Sequence, residues 1–257
     1  MVLDFSIKNG IGWIKFNRPE KFNSFNQELA FAVQEALDTC HLDSAVRVVV
    51  LSGEGKAFCA GQDLAEATDP NGPPLKSIVG KHYNPIIEKI RNIDKPIIAA
   101  VNGVAAGAGA NIALACDIVI ATETAKFIQA FSAIGLIPDS GGTYFLPRLV
   151  GTQKALALML TGDRIDAVEA EKMNMIYKAV PDAEFVDFVS SFAEKMAKMP
   201  TKGLVLTKKA VNESFNNTLT EQLALEEELQ TIAGQSYDFK EGTAAFLEKR
   251  KPNFKGE

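Results

Sequence analysis

The sequence predicts an α/β domain with a helical layer added at its C-terminal end, and three observations carry that reading. Two β-branched runs, Arg47–Ser52 and Lys95–Val101, are each followed by a loop of small residues and then a helical pattern. Strand, loop and helix repeating in that order build a largely parallel sheet covered by helices. From about Asp166 onward the pattern is almost wholly helical. A length of 257 residues accommodates one large α/β domain or a core with a smaller helical appendage. The expected division is 1–165 for the core that carries the candidate site and 166–257 for a helical layer used in assembly.

Each element has a local reason. Residues 2–16 read as a β-hairpin, because Leu3, Phe5 and Ile7 alternate, Asn9-Gly10 is a strong turn, and Ile14 and Phe16 resume the alternation. A helix over about Gln27–Cys40 places Leu29, Val33, Ala36, Leu37 and Cys40 on one face, and Ser24 with Gln27 predicts a capping box at its start. The run 47–52 is a buried strand that ends in the turn-rich loop 53–64. Asp69–Pro74 is a loop, and a helix follows near Tyr83–Ile93. Lys95–Val101 is a second buried strand, followed by Asn102–Asn111 and a helix through Cys116; Asp117–Ala121 and Ala125–Gln129 are further short strands. Helices are expected over Glu184–Met199, Lys202–Phe215, Glu221–Ile232 and Glu241–Arg250.

Composition narrows the function. A formal net charge of -5 argues against nucleic acid as a partner. The odd set of three cysteines, Cys40, Cys59 and Cys116, sits far apart in apolar settings and reads as small buried hydrophobes in a reducing compartment, not as a disulfide framework or metal site. Two histidines, His41 and His82, are too few for a His-rich metal cluster and are read as structural or exposed. No metal and no separate cofactor are expected. The N-terminus alternates like a strand and lacks the basic and apolar regions of a signal peptide, so a cytoplasmic protein is expected. Pro96–Cys116 is uncharged over a membrane-spanning length, yet its glycines and asparagines divide it into strand, turn and helix, and no membrane partner is expected.

Chemistry concentrates at three places. Between Lys126 and Arg148 the only charge is Asp139, inside a long apolar segment. A carboxylate so placed is poorly solvated, which raises its pKa and makes it a stronger base. The competing reading is an exposed turn aspartate after Pro138 and before Ser140-Gly141-Gly142. The loops Ala57–Asp63 and Ala105–Asn111 each follow a buried strand and present small residues at a helix start. Backbone N–H groups there approach a ligand closely, and two such loops supply two donors to one oxygen, an oxyanion hole. For either loop taken alone, tight strand-to-helix packing is the favoured reading. Neither carries the Gly-Lys-Ser/Thr of a phosphate loop or the third glycine of a dinucleotide loop, where Ile112 stands.

These residues make the chain resemble the enoyl-CoA hydratase/isomerase (crotonase) family over essentially its whole length. The matching pieces are Asn17-Arg-Pro-Glu-Lys-Phe-Asn23, Phe58-Cys-Ala-Gly-Gln-Asp-Leu64, Lys95-Pro-Ile-Ile-Ala-Ala-Val-Asn-Gly103, Gly107-Ala-Gly109, Gly135-Leu-Ile-Pro-Asp-Ser-Gly-Gly142 and Phe246-Leu-Glu-Lys-Arg250. Asn84-Pro85, the 102–109 and 135–139 segments and Glu241-Gly242 are most similar to the family's ring-epoxide isomerases of aerobic phenylacetate degradation, which form an oxepin-CoA.

The resemblance implies a spiral of ββα units with a trimerising helical layer, in a homotrimer or homohexamer. It implies an acyl-CoA thioester substrate, with coenzyme A part of that substrate. The N–H groups of Ala60 and Ala108 would bind the thioester carbonyl, while Lys21, Gly61, Gln62, Asp63 and Leu64 would line the CoA path. Lys249 matches a position that reaches a CoA phosphate; the alternative for Lys249-Arg250-Lys251 is a solvated helix end. Family hydratases activate water with two glutamates, and Asn111 and Phe131 stand at those positions, so ordinary hydration is disfavoured. Asp139 matches the base of family isomerases. The expected activity is therefore CoA-thioester isomerisation, shifting a double bond or opening a ring epoxide. The alternatives are a hydratase with its water held by Asp139, and a non-catalytic acyl-CoA-binding or assembly protein.

Overall fold

A computed structural model describes residues 1–257 and shows how three successive ββα units generate the architecture. The hairpin of β1 (Leu3–Lys8) and β2 (Ile11–Phe16) leads into α1 (Gln27–Leu42). The first unit is β3 (Val48–Gly53), β4 (Ala57–Cys59) and the short α2 (Leu64–Ala67). After α3 (Leu75–Ser77), a π-helical turn over Ile78–Tyr83 and α4 (Asn84–Asn92) comes the second unit. It consists of β5 (Ile97–Val101), β6 (Val104–Ala106) and α5 (Ala108–Ala115). The third is β7 (Ile118–Thr122), β8 (Lys126–Ile128) and α6 (Gly142–Val150). The first strand of each unit joins one six-stranded sheet, ordered β1-β2-β3-β5-β7-β10, with β10 spanning Lys178–Val180. The second strand joins a four-stranded sheet, ordered β4-β6-β8-β9, with β9 spanning Arg164–Asp166. Each unit thus advances the chain by one strand in both sheets, which is the spiral the resemblance implies.

The central strands β3, β5 and β7 of the large sheet are buried on both faces, which is why they read as unbroken apolar runs. Val49 and Leu51 face the main core with α1, while Val48 and Val50 face a second cluster under α9 (Phe185–Ala197). Between β9 and β10 lies α8 (Ala167–Lys172), and α7 (Thr152–Thr161) precedes β9. The expectation of an almost purely helical chain from Asp166 is therefore corrected. β10 adds the last strand of the large sheet, parallel to β7, and α9 covers that sheet. The continuous helical run starts with α10 (Thr201–Ser214) and continues through α11 (Leu219–Gly234) and α12 (Tyr237–Leu247).

Other departures have local causes. The cap of α1 is Asn26, whose side chain accepts the Leu29 N–H at 3.0 Å, in place of the expected Ser24–Gln27 box. The three-residue strands β4 and β6 are too short to show a period. The uncharged stretch 96–116 is divided among β5, β6 and α5, and no helix is long and apolar enough to cross a membrane.

Candidate active site

The 57–63 and 105–111 loops come together because glycines let them touch. Gly109, in the first turn of α5, lies so close to β4 that an added Cβ would sit 2.3 Å from the Cys59 carbonyl oxygen. Gly61 adopts φ +91°, and a Cβ there would meet Ala106 O at 3.0 Å and Ala108 N at 3.5 Å. Both loops end at helix starts, so unpaired N–H groups and the positive end of the helix dipole collect there.

Their donors are not those the sequence nominated. The Ala60 N–H donates to Phe22 O at 2.9 Å and is already satisfied, so Ala60 is corrected as an oxyanion donor. Phe25 straddles the same loop, donating to Gly61 O at 2.7 Å and accepting from Asp63 N at 2.8 Å. The N–H of Gln62, between those two bonds, has no acceptor in the chain, and neither has that of Ala108 at the first position of α5. The bridge between Phe25 and Gln62 is made by Gly61 O and Asp63 N, which leaves the Gln62 N–H pointing away from Phe25, while Phe22 O takes the N–H of Ala60.

Asp139 lies beside α5, one turn beyond Ala108. The side chain of Asn111, fully buried, donates through Nδ2 to the Asp139 backbone carbonyl at 2.9 Å and accepts from Gln129 Nε2 at 2.8 Å. α6 presses on the same amide: a Cβ on Gly142 would be 2.3 Å from Asn111 Nδ2. Asn111 is therefore spent on holding the Asp139 turn. The two sequence readings of Asp139 are both partly right. It does sit in a turn, with Ser140 and Gly141 at positive φ and the Gly142 N–H bonded to its carbonyl at 2.8 Å. Its carboxyl is nevertheless half-buried, and that desolvation holds its pKa above the ordinary carboxylate value, against the opposing pull of the Ser140 hydroxyl, which donates to Oδ1 at 2.9 Å. Phe131 is buried, with its ring 3.8 Å from a Cβ position on Gly107, and forms an apolar wall beside the Ala108 donor. Cys59, inside the loop, has its thiol pushed up to about 12 by burial and so stays protonated.

The remaining nominated residues divide. In Asp63 one carboxylate oxygen pairs with Arg18 at 2.9 Å and the other caps α2 through the Ala65 N–H at 3.1 Å. That pair ties the 18–23 segment, including Lys21, to the loop. Lys21 and Leu64 are exposed beside it, and Gln62 is half-buried. Lys249 is exposed and is not brought to these loops: it takes a positive φ at the end of α12, bonded only through its N–H to Phe246 O. Its neighbour Arg250 is not a free cation, since it pairs with Glu241 at 2.6 Å and Glu248 at 2.6 Å. The tail beyond docks on Asp238, which accepts the N–H groups of Lys255 and Gly256. A cavity of about 710 Å³ lies elsewhere, between α4, α5, α6 and α10, and includes neither Asp139 nor either loop. A larger cavity of about 990 Å³, between α10 and α11, includes none of these residues either.

The free N–H of Gln62 and the Ser140 hydroxyl on the Asp139 carboxylate were not singled out by local sequence. Nothing in a linear pattern reveals which N–H a distant residue such as Phe22 consumes.

Comparison with known proteins identifies the family that carries this fold. The family model for enoyl-CoA hydratase/isomerase matches residues 6–257, and the chain belongs to that family. It is 46% identical over 253 residues to the 1,2-epoxyphenylacetyl-CoA isomerase of Escherichia coli (strain K12), covering 97% of each chain. It is 43% identical over 252 residues to a protein of Rhodobacter capsulatus named as a probable enoyl-CoA hydratase, covering 98% of this chain and 97% of the other. A solved enoyl-CoA hydratase from Bacillus anthracis superposes with a TM-score of 0.93 at 33% identity, over all of both chains.

Proposed function

We propose that the protein is a CoA-thioester isomerase that works through an enolate. The observation that carries this reading is the chemistry around Asp139: it is a desolvated acid with no cation beside it, whereas Asp63 is paired with Arg18, and the two other positions that would serve a hydratase hold an amide and a phenyl ring. The thioester carbonyl oxygen sits between the N–H groups of Gln62 and Ala108, where donors aimed at a developing oxyanion stabilise charge on the oxygen. The protons on C2 become acidic. Asp139 removes one of them, and its raised pKa makes it a better base than an ordinary carboxylate. Returning the same proton at C4 moves a 3,4 double bond to the 2,3 position, with no atom gained or lost. In a ring-epoxide phenylacetyl-CoA, the same activation assists ring opening to the oxepin, a reading supported by the likeness to the Escherichia coli isomerase.

Asn111 supports isomerisation over hydration, because an amide cannot take a proton from an attacking water, and this one is held by bonds to Asp139 O and Gln129. Lys21, Gly61 and Leu64 flank the CoA path in this proposal. We extend it to a homotrimer or homohexamer, with Lys249 reaching a CoA phosphate across the interface. Exposed apolar side chains on the helical layer, among them Leu219, Leu223, Phe246 and Leu247, support burial between copies. The test compares initial rates with a 3-enoyl-CoA and with crotonyl-CoA. Conversion of the 3-enoyl ester should be faster by about 100-fold or more, the scale set by a general base acting in one reaction only. Faster hydration of crotonyl-CoA would favour the hydratase reading, and turnover of neither a pure binder.

A further inference from the structure

Tyr83 ends the π-helical turn Ile78–Tyr83 that introduces α4. The Asn84 N–H reaches back five residues to Val79 O, and this wider turn fixes where the tyrosine ring points; such turns inside helices often mark functional positions. The ring is 1% exposed and lies against Phe25, centroids 5.8 Å apart, the residue that grips the backbone of the 61–63 loop from the other side. Its hydroxyl donates to Gln62 Oε1 at 2.8 Å. The other end of that amide is also held, with Nε2 donating to Glu66 Oε2 at 3.1 Å and Asp63 O at 3.2 Å. A buried tyrosine thus immobilises the side chain of the one residue in its loop whose backbone N–H is free.

We propose that Tyr83 is a positioning residue for the oxyanion hole, orienting the Gln62 N–H towards the thioester oxygen through the hydrogen bond to the Gln62 side chain. This rests on the isomerase reading and deepens it. Phe25 sets the plane of the Gly61–Gln62 peptide through its bond to Gly61 O, since that carbonyl and the Gln62 N–H share one plane, and it grips the next peptide through Asp63 N. The bonds from the Gln62 side chain to Tyr83, Glu66 and Asp63 brace the Gln62 Cα between those two peptides, so that neither plane tilts when an oxygen loads the N–H. Burial, with the negative field of Asp139, Glu66 and Asp63, holds the phenol well above its ordinary pKa, so it remains a donor throughout the pH range of activity. Donor geometry at an oxyanion has large leverage, since one lost donor costs on the order of 100-fold in rate. Loosening one donor without deleting it costs less, about tenfold, the scale of a single neutral hydrogen bond.

The experiment uses Tyr83→Phe, which keeps the ring and removes only the hydroxyl, with two CoA ligands that differ at one group. Hexanoyl-CoA carries the thioester carbonyl; S-hexyl-CoA, a thioether, has none. Tyr83→Phe should lower kcat on 3-hexenoyl-CoA about tenfold and weaken hexanoyl-CoA about three- to tenfold, while leaving S-hexyl-CoA within about twofold. In a Gln62→Ala background, which retains the backbone N–H, the same substitution should change kcat by less than about twofold, because the hydroxyl's partner is gone. Equal weakening of both ligands would assign Tyr83 a purely structural role and overturn the proposal, as would an undiminished tenfold effect in the Gln62→Ala background. Should Tyr83→Phe fail to fold, Gln62→Ala alone carries the prediction of a thioester-selective loss. A wild-type protein that binds the two ligands equally contradicts the oxyanion hole itself; one that prefers the thioester, with a variant of unchanged preference, contradicts only the role of Tyr83.

Discussion

Asp139 shows how one side chain's environment sets its chemistry. Desolvation raises its pKa and the Ser140 hydroxyl lowers it, with desolvation the larger. Catalysis needs the ionised form, so the rate should climb with pH through this raised pKa and flatten above it. Replacing Ser140 by Ala removes the donor that favours the ionised form, and the acid limb of the pH–kcat profile should move upward by as much as about one unit, the shift worth one hydrogen bond to a charge. A limb that stays in place or moves to lower pH contradicts the geometry at Oδ1. Asp139 was legible in the sequence because a lone charge in an apolar stretch is a local signal. The donor assignment was not: Ala60 and Gln62 are both in a recognisable loop, and only the fold reveals that Phe22 takes the Ala60 N–H.

At the scale of elements, the site depends on how closely the start of α5 approaches β4. Gly109 makes that approach possible, and its substitution by Ala would drive a Cβ into the Cys59 carbonyl at 2.3 Å. Neither side yields, as Cys59 and the first turn of α5 are both buried. Gly109→Ala should therefore destabilise the protein by about 3 kcal/mol or more, read from the midpoint of chemical denaturation, because overpacking against backbone cannot relax through a rotamer. A loss below about 0.5 kcal/mol would mean that the loops do not touch as described. Long strands and amphipathic helices such as β3, β5, α1 and α9 were predictable from their periods. α6 was not, since Pro147 lies inside it and reads as a break, and β10 was hidden because three residues, Lys178–Val180, carry no period.

In the whole molecule, the helical run from α10 is locked to the core by a charge. Lys208, with 9% of its side chain exposed, pairs with Asp117 at 2.9 Å and donates to Ile90 O at 2.8 Å and Lys95 O at 3.2 Å. These contacts join α10 to the end of α4 and the start of β7, the same scaffold that carries α5 and hence the Ala108 donor. The spiral thus places the free N–H groups of Gln62 and Ala108 on successive ββα units and Asp139 in the segment that leads into the helix of the third, although no linear motif links them. The central claim is that Asp139 moves the proton, and Asp139→Asn tests it most directly. The amide keeps the shape and lacks the basicity, and being uncharged it escapes the desolvation that the carboxylate suffers, so the variant should fold at least as well. Measured as the initial rate of conversion of a 3-enoyl-CoA to the conjugated 2-enoyl-CoA at neutral pH, activity should fall by about 100-fold or more relative to the unaltered protein. A variant that retains activity within about threefold would contradict the account.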